Sequence, residues 1–337
     1  MTDDDDLWFL PGPPIDEAPT DPLWEQADRQ AIFDPRDWRR AEAAQGRGLA
    51  RAAAAFARLD ALVSDGFAKR LALAETSALL WAQGDWVSAD RIALYGLLRE
   101  SSLKDARGLS RADWAVQRVL GAGMPEDLAV FLGRRRAEFD GLENLGRHPV
   151  GVEFDGLEGD WQAARRGLED THPITQAAGL FAAWRAFGLS APNDALEAGV
   201  AAGKIGGAEG RNLRFLPVAS GGAIGQGGAV ADRLARWYAA VENACLQAEM
   251  QHAQLNTWAK RARQASAGLS GKTPALLIEA LQATPALSAG MVARTCSCDK
   301  ATARRNLNRF AKLGSIREIT GQGRYKVWSA ALGVSSS

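Results

Sequence analysis

Basic and polar side chains cluster near the C-terminal end of the chain, at spacings that would place several of them on one surface. The candidates are Lys300, Thr302, Arg304, Arg305, Asn306, Asn308 and Arg309, followed by Arg324 and Lys326. A guanidinium group can bind a phosphate or pair with a guanine edge, and amide and hydroxyl groups can hydrogen-bond to other base edges. These residue types within one short segment predict contact with double-stranded DNA.

The charge of the chain is distributed unevenly along it. The 337 residues hold 40 Lys and Arg and 40 Asp and Glu, so the formal net charge is zero. Residues 257–337 carry 13 basic and 3 acidic residues, whereas residues 1–256 carry 27 and 37. A net charge of +10 on the last quarter of the chain is the electrostatic footprint expected of a segment that binds nucleic acid.

A winged helix-turn-helix over residues 269–332 would position the candidate side chains. Thr273 opens a first predicted helix, and Ser288 caps a second one. Asp299 caps a third helix, which runs to about Leu313. In this layout the third helix enters the major groove of DNA, which is wide enough to admit an α-helix.

The pattern of the third helix and of the segment after it predicts which faces are buried and which are exposed to solvent. The helix has one apolar stripe, made of Ala303, Leu307, Phe310 and Leu313. Two alternating segments, residues 315–320 and 325–329, follow around the turn 321–323 and predict a basic hairpin, the wing. The polar faces of the helix and the wing favour DNA binding, while a module that docks only onto proteins is the alternative that the pattern leaves open.

A resemblance supports this interpretation. The run from Thr302 to Gly321, TARRNLNRFAKLGSIREITG, resembles the recognition helix and wing of many bacterial regulators and the C-terminal winged helix of Fic-domain proteins. With the helical segment around residues 57–62, the chain also resembles an alphaproteobacterial helix-turn-helix family of the rhizobial and plasmid type. The resemblance implies DNA binding without implying a particular target.

Motifs that could carry catalysis or bind a metal ion are incomplete. Residues 148–156 begin with His-Pro but lack the Phe, Asn and Arg of the Fic catalytic loop. Residues 271–273 copy the end of a phosphate-binding loop, yet Ser266 stands where its first glycine is required. Cys296 and Cys298 offer only two of the four ligands of a zinc site. We therefore predict no catalytic site, no metal ion and no cofactor, and expect that the chain is not an enzyme.

The rest of the chain is predicted to be mainly α-helical. It contains 64 Ala and 38 Leu but only 9 Ile and 14 Val, a composition that favours helices over a parallel sheet. Residues 1–46 form an acidic strap with Pro and Trp residues, and residues 47–200 form a helical body. Within this body we expect a loop at 146–160 and a helix start at Ser110. The glycine-rich stretch 201–228 is predicted to be a linker.

Residues 229–268 are predicted to form one long connecting helix. Apolar side chains recur there at alternating steps of four and three: Val230, Leu234, Trp237, Val241, Ala244, Ala248, Gln251, Leu255, Trp258 and Ala262, with Gln251 the polar member. Such a seam is typical both of a core helix in a bundle and of a coiled coil that joins two copies through residues 230–262. We expect the body and the winged helix each to hold a core of its own.

Composition bounds the compartment and the class of function. No run reaches the ~18 apolar residues of a membrane-spanning helix, and three Cys cannot form a disulfide framework, so a cytoplasmic, nucleoid-associated protein is expected. The sequence thus predicts a transcriptional regulator that reads duplex DNA with a C-terminal winged helix. A catalytically degenerate Fic-like or toxin–antitoxin-type protein and a plasmid-maintenance accessory factor remain the alternatives.

Overall fold

The fold is mainly α-helical, which confirms the predicted class: helices surround one long helix, and a small sheet lies near the C-terminal end. A computed structural model gives this architecture. The structure describes residues 32–99, 106–121, 124, 127–133, 149, 151–191, 193–222, 227–321 and 325–332. The part of the predicted strap at residues 1–31 lies outside the described residues.

The elements follow one another in this chain order. The helices are α1 Pro35–Ala44, α2 Gly46–Leu62, α3 Asp65–Ala82, α4 Ala89–Leu98, α5 Ala106–Leu120, α6 Leu128–Leu132, α7 Gly151–Gly167, α8 Pro173–Phe187, α9 Leu196–Gly206, α10 Val230–Ala265, α11 Thr273–Ala283, α12 Ala289–Thr295 and α13 Lys300–Lys312. Within the described residues, the strands are β1 Leu287–Ser288, β2 Ile316–Glu318 and β3 Val327–Ala330, and a 3-10 turn occupies Ala219–Gly221.

Helix α10, 36 residues long, is the axis of the fold. Its predicted seam faces other helices of the same chain: α10 packs against α1, α2 and α8 along its first half and against α11 near its end. Leu234 and Val241 are completely buried, while Gln251 is exposed. The interpretation as a core helix of a bundle is therefore confirmed, and the seam packs against helices of the same chain.

The glycine-rich stretch is not a free linker. Residues 201–206 complete helix α9, and the segment after them buries Leu213, Phe215 and Leu216. At Gly221 a Cβ atom would lie 1.9 Å from the carbonyl oxygen of Ala240 in α10, so only glycine permits this contact. The many glycines let the backbone approach α10 closely, and apolar residues between them anchor the segment in the core.

Glu75 of α3 fixes this segment from inside the body. Its Oε1 accepts hydrogen bonds from the backbone N–H groups of Val218 at 2.8 Å and Ala219 at 2.6 Å. Its Oε2 accepts from the backbone and the hydroxyl of Ser220, at 3.0 and 2.8 Å. Burial raises the pKa of this carboxyl group, although the four donors oppose that rise. The carboxylate thus ties the middle of the chain to α3.

Lys204 of α9 provides a second buried charge with a similar role. Its Nζ donates to the carbonyl oxygens of Gly121 at 2.6 Å and of Val119 and Arg214 at 3.3 Å each. Burial lowers the pKa of this ammonium to about 8. It joins the end of α5 to the segment that follows α9.

The predicted boundary between strap and body does not separate two units. Helix α1 begins after Asp34, whose Oδ1 accepts the backbone N–H of Arg36 at 2.8 Å, and it leads into α2 after Gln45. Trp38 of α1 is 2% exposed and stacks against Phe33. The described end of the strap therefore belongs to the core of the body.

Two local predictions in the body were wrong. Of the expected loop at 146–160, residues 151–160 are helical, because Phe154, Leu157 and Trp161 repeat at helical spacing and are buried as one face of α7. The glycines of this segment lie on exposed positions, where they weaken a helix without preventing packing. Ser110 does not start a helix; it lies inside α5.

The described residues from Thr273 to Ala330 form the predicted helix-turn-helix with a wing. Helices α11, α12 and α13 are followed by β2 and β3, and the antiparallel sheet has the order β1-β3-β2. The two wing strands are confirmed in a shorter form than predicted. Strand β1 was not predicted; Leu287 pairs with Trp328 and Ser288 with Val327. Of the predicted turn 321–323, only Gly321 lies within the described residues.

The winged helix is packed firmly on the body, so the expectation of two local cores was wrong. The guanidinium of Arg70 in α3 donates to the carbonyl oxygens of Leu281 and, at 3.1 Å, of Thr284, at the end of α11. The indole of Trp258 in α10 donates to the carbonyl oxygen of Ser315 at 2.6 Å. Burial lowers the pKa of Arg70 to about 10. A cation and an indole of the body thus satisfy backbone groups of the winged helix.

A second contact supports the sheet of the wing. Leu94 of α4 forms a small apolar cluster with Ala286 and Val327. Asp90 of the same helix pairs with Arg317 of β2. Helix α4 therefore lies behind the sheet and fixes the orientation of the wing relative to the body.

Candidate nucleic-acid interface

Helix α13, the third helix of the winged helix, begins at a side-chain cap. Asp299 accepts hydrogen bonds from the backbone N–H of Thr302 at 2.8 Å and from the hydroxyl of Thr302 at 2.7 Å. These bonds lower the pKa of Asp299. The hydroxyl of Thr302 also accepts from the guanidinium of Arg305 at 3.0 Å. Thr302, predicted as a base reader, therefore has its hydroxyl engaged in the cap.

The inner face of α13 anchors it to the rest of the domain. Ala303, Leu307 and Phe310 are completely buried, as the apolar stripe predicted, whereas Leu313 is 43% exposed at the end of the helix. Asn306 lies on this inner face: it is 5% exposed, and its Nδ2 donates to the carbonyl oxygen of Thr302 at 3.0 Å. Asn306 was wrongly predicted to face DNA, because a polar residue type was read without its position on the helix.

The outer face of α13 carries two rows of polar side chains. Lys300, Arg304 and Asn308 repeat every four residues and form one row of exposed side chains. The second row, at Arg305 and Arg309, is exposed as well. Residues four apart on a helix are neighbours with Cβ atoms about 6 Å apart. The helix thus presents four cations and one amide on a surface narrow enough to enter a DNA groove.

A groove of about 720 Å³ lies between the first row and the wing. Lys300, Arg304 and Asn308 line one wall. Ser288, Ala289 and Gly290 at the start of α12, together with Tyr325, Lys326 and Trp328 of the wing, line the rest. The structure therefore brings predicted residues from the third helix and from the wing to one surface. The walls offer cations, an amide and an exposed ring to a ligand.

The wing contributes one cation that has a partner of its own. Lys326 lies 2.9 Å from Glu318 on the neighbouring strand and remains 44% exposed. Tyr325 precedes it with a φ of 56°, in the left-handed region, and its side chain is 73% exposed. Arg324, the other predicted wing contact, lies outside the described residues. In the described part of the wing, Tyr325, Lys326 and Trp328 line the groove.

The two cysteines of the helix-turn-helix lie in the turn before α13. Cys296 is completely buried, and burial is the main cause that raises the pKa of its thiol. Cys298 is partly buried. Within the described residues, no cluster of three or more His, Cys, Asp or Glu side chains is placed to hold a metal ion. The turn cysteines contribute apolar packing in this arrangement, which the buried thiol shows most clearly.

Several groove residues were missed from the sequence. Ser288 was recognised as a cap but not as part of the groove, and its hydroxyl accepts the backbone N–H of Met291 at 3.3 Å. Tyr325 was read only as a strand residue. A signal for Tyr325 was present, because it lies beside the predicted glycine turn, and loops carry a disproportionate share of binding residues. No local pattern indicates that Ser288 and Tyr325 line the same groove.

Comparison with known families identifies this region. The model of a family described as an HTH DNA binding domain matches residues 274–330. The match spans α11 to β3 and includes the whole described groove. A search of curated proteins finds no match to the chain. The C-terminal region is thus similar to DNA-binding helix-turn-helix domains, while the resemblance to Fic-domain and rhizobial proteins stays a prediction.

The described helices were also compared with what a lipid bilayer requires. In this part of the chain, none combines the length and the apolar character needed to cross a membrane.

Proposed function

We propose that this chain binds double-stranded DNA through α13 and the wing, and that it regulates transcription by doing so. The observation that carries the proposal is the row Lys300, Arg304 and Asn308, exposed on a helix that a buried face holds in place, and opposite Lys326 in one groove. The similarity of residues 274–330 to DNA-binding domains supports the DNA-binding part of the proposal independently.

In this proposal some side chains of α13 contact base edges, and others, together with the wing, contact phosphates. Arg304 and Asn308 lie in the middle of the exposed surface, where a helix in the major groove meets base edges. A guanidinium pairs with O6 and N7 of guanine through two hydrogen bonds, and an amide pairs with adenine in the same manner. Lys300, Arg309 and Lys326 lie around them and suit phosphate contacts, which set the register without reading sequence.

The body has a mechanical role in this proposal and no catalytic one. Arg70, Trp258 and Asp90 hold the winged helix at fixed points, at the end of α11, at the start of β2 and along β2. A rigidly held wing loses less conformational entropy when it binds DNA. We therefore propose a regulator that acts at the nucleoid by binding DNA. The helical body supports the winged helix and fixes its orientation.

The test begins with a selection of random duplexes on the purified full-length protein. Arg304→Ala should then weaken binding to the selected duplex by about 1–3 kcal/mol and relax the preference at one base position, because the bidentate contact is lost. Fluorescence anisotropy with the selected and a scrambled duplex measures this. Lys260→Ala is the matched control, since Lys260 is an exposed cation of α10 outside the groove.

Two outcomes would contradict the proposal or narrow it. If Arg304→Ala, Arg305→Ala and Lys326→Ala all bind the selected duplex as well as the native protein does, the module docks onto proteins instead. Chromatin pull-down with sequencing separates the remaining roles: dispersed promoter sites support regulation, whereas one cluster of repeated sites supports plasmid maintenance.

A further inference from the structure

The groove between α13 and the wing carries positive charge that the described residues leave uncompensated. Neither Lys300 nor Arg304 has an ion-pair or hydrogen-bond partner in the described part of the chain. Lys326 forms an ion pair with the carboxylate of Glu318 on the neighbouring strand. Lys300 and Arg304 lie one helical turn apart, where like charges repel. The groove is therefore a place where an anionic segment gains free energy by binding.

The chain itself contains an anionic segment whose charge is opposite to that of the groove. Residues 1–31 hold nine Asp and Glu and one Arg, a net charge of −8, and four of the acids are consecutive at Asp3–Asp6. Residues 32–256 hold 28 acidic and 26 basic residues and are nearly neutral. Residues 257–337 carry the +10 that balances the rest. The charge of the molecule is thus separated. Residues 1–31, called the acidic leader below, and the basic residues 257–337 carry opposite charges, and residues 32–256 between them have a net charge of −2.

The leader is long enough to reach the groove. Trp38 is buried in the body and lies 5.3 Å from the guanidinium of Arg233, in the first turn of α10. The winged helix contacts α10 at Trp258, 25 residues further on, or about 38 Å along the helix axis. The 28 residues from Asp6 to Phe33 span up to about 90 Å when extended. This reach is about twice the axial distance from Arg233 to Trp258, where the winged helix meets α10.

We propose that the acidic leader of this chain binds the groove between α13 and the wing, with Asp3–Asp6 against Lys300, Arg304 and Lys326, and competes there with DNA phosphates. The inference rests on the proposed function for its consequence, since it names how that same site is regulated. A tethered competitor acts at a high effective concentration, so even a weak contact lowers the apparent affinity for every duplex by the same factor. Because the proposed contact is electrostatic, salt should weaken it.

The first experiment uses the full-length protein and a scrambled duplex. A variant with Asp3, Asp4, Asp5 and Asp6 changed to Asn should bind about tenfold more tightly than the native protein at low salt, and the gain should vanish at high salt. The matched control removes four exposed acids of the body through Glu153→Gln, Asp155→Asn, Glu169→Gln and Glu209→Gln. If the control variant tightens binding as much as the leader variant does, net charge explains the effect and the proposal is wrong.

The second experiment does not use DNA. Carbodiimide joins a carboxylate directly to a lysine that touches it, and mass spectrometry maps the bond. The proposal expects bonds from Asp3–Asp6 to Lys300 or Lys326 within one chain, independent of dilution and lost at high salt. The exposed Lys260 and Lys272 serve as internal controls.

Together, the two experiments distinguish failure of the leader contact from failure of the proposed DNA-binding function. Bonds that form only between chains, or equally to the control lysines, would overturn the leader contact. If the bonds form as expected and no duplex binds to any variant, the leader contact stands and the proposed function fails.

Discussion

The helical body and the winged helix place their charged side chains in opposite ways. In the body, Glu75 and Lys204 are 6% and 3% exposed, and each is surrounded by backbone groups of another segment. In the winged helix, Lys300, Arg304 and Arg309 lie at the surface and make no ion pair with the described residues. The same residue types thus hold segments together in one region and remain free in the other.

The difference shows how burial decides what a charge can do. A charge inside a protein needs several hydrogen bonds to offset its lost hydration, so it becomes committed to one structure. An exposed charge keeps its hydration and can exchange water or counterions for a ligand. Substitutions should therefore change stability in the body and affinity in the winged helix.

The largest effect is expected from a charge placed where the body has none. Leu234 in α10 is completely buried. Leu234→Asp should lower the free energy of unfolding by about 4 kcal/mol or more, because the new carboxylate has no hydrogen-bond donors to offset its burial. Urea denaturation followed by circular dichroism measures the change.

The matched control for this prediction lies on the other side of the same helix. Met250 is 63% exposed, so Met250→Asp should alter the free energy of unfolding by no more than about 0.5 kcal/mol. If sedimentation instead shows that Leu234→Asp converts a native dimer into a stable folded monomer, the seam joins two copies and its placement inside one chain is wrong.

A smaller loss of stability is expected when a buried charge of the body is removed. Glu75→Ala leaves the N–H groups of Val218, Ala219 and Ser220 without their acceptor. The free energy of unfolding should fall by about 3 kcal/mol, while the folded protein should bind DNA with unchanged affinity. Denaturation and anisotropy on the same preparation test both halves.

The control for Glu75 is an acid of the body that the fold leaves partly in water. Glu242 pairs with Arg51 at 3.1 Å on the surface of α10. Glu242→Ala should change stability by at most about 1 kcal/mol, as exposed ion pairs do. Equal losses from Glu75→Ala and Glu242→Ala would remove the distinction between buried and exposed charge in the body.

The smallest effect concerns the wing. Lys326→Ala should leave stability unchanged and weaken binding to the selected and the scrambled duplex equally, because a phosphate contact carries no sequence information. The slope of log affinity against log salt should decrease by about one for the lost contact. A loss confined to the selected duplex would mean that Lys326 reads a base.

The C-terminal fold could be predicted because its signals are local. The caps Ser288 and Asp299 each accept a backbone N–H three residues further on, and the apolar stripe of α13 repeats over three turns. Each of these signals depends on neighbours within one element. For the same reason, Lys300, Arg304, Asn308 and Arg309 could be assigned to the exposed side from their spacing.

Errors arose where a residue's role depends on a distant segment. The prediction that Asn306 contacts a base is wrong, because composition does not show which face of α13 is buried. The prediction of a linker at 201–228 is wrong, because Glu75, some 140 residues away in the chain, holds that segment in the core.

Periodicity and composition suffice to predict the helical class, the long helix α10 and the positive charge of the C-terminal region, since they act through neighbours along the chain. They do not show that the seam of α10 faces its own chain or that Arg70 and Trp258 hold the winged helix on the body, which depends on packing between distant segments. Apolar periodicity shows that a face must be covered but not by which surface. That choice depends on the free energy of the whole packed core, to which residues from Phe33 to Ala330 contribute.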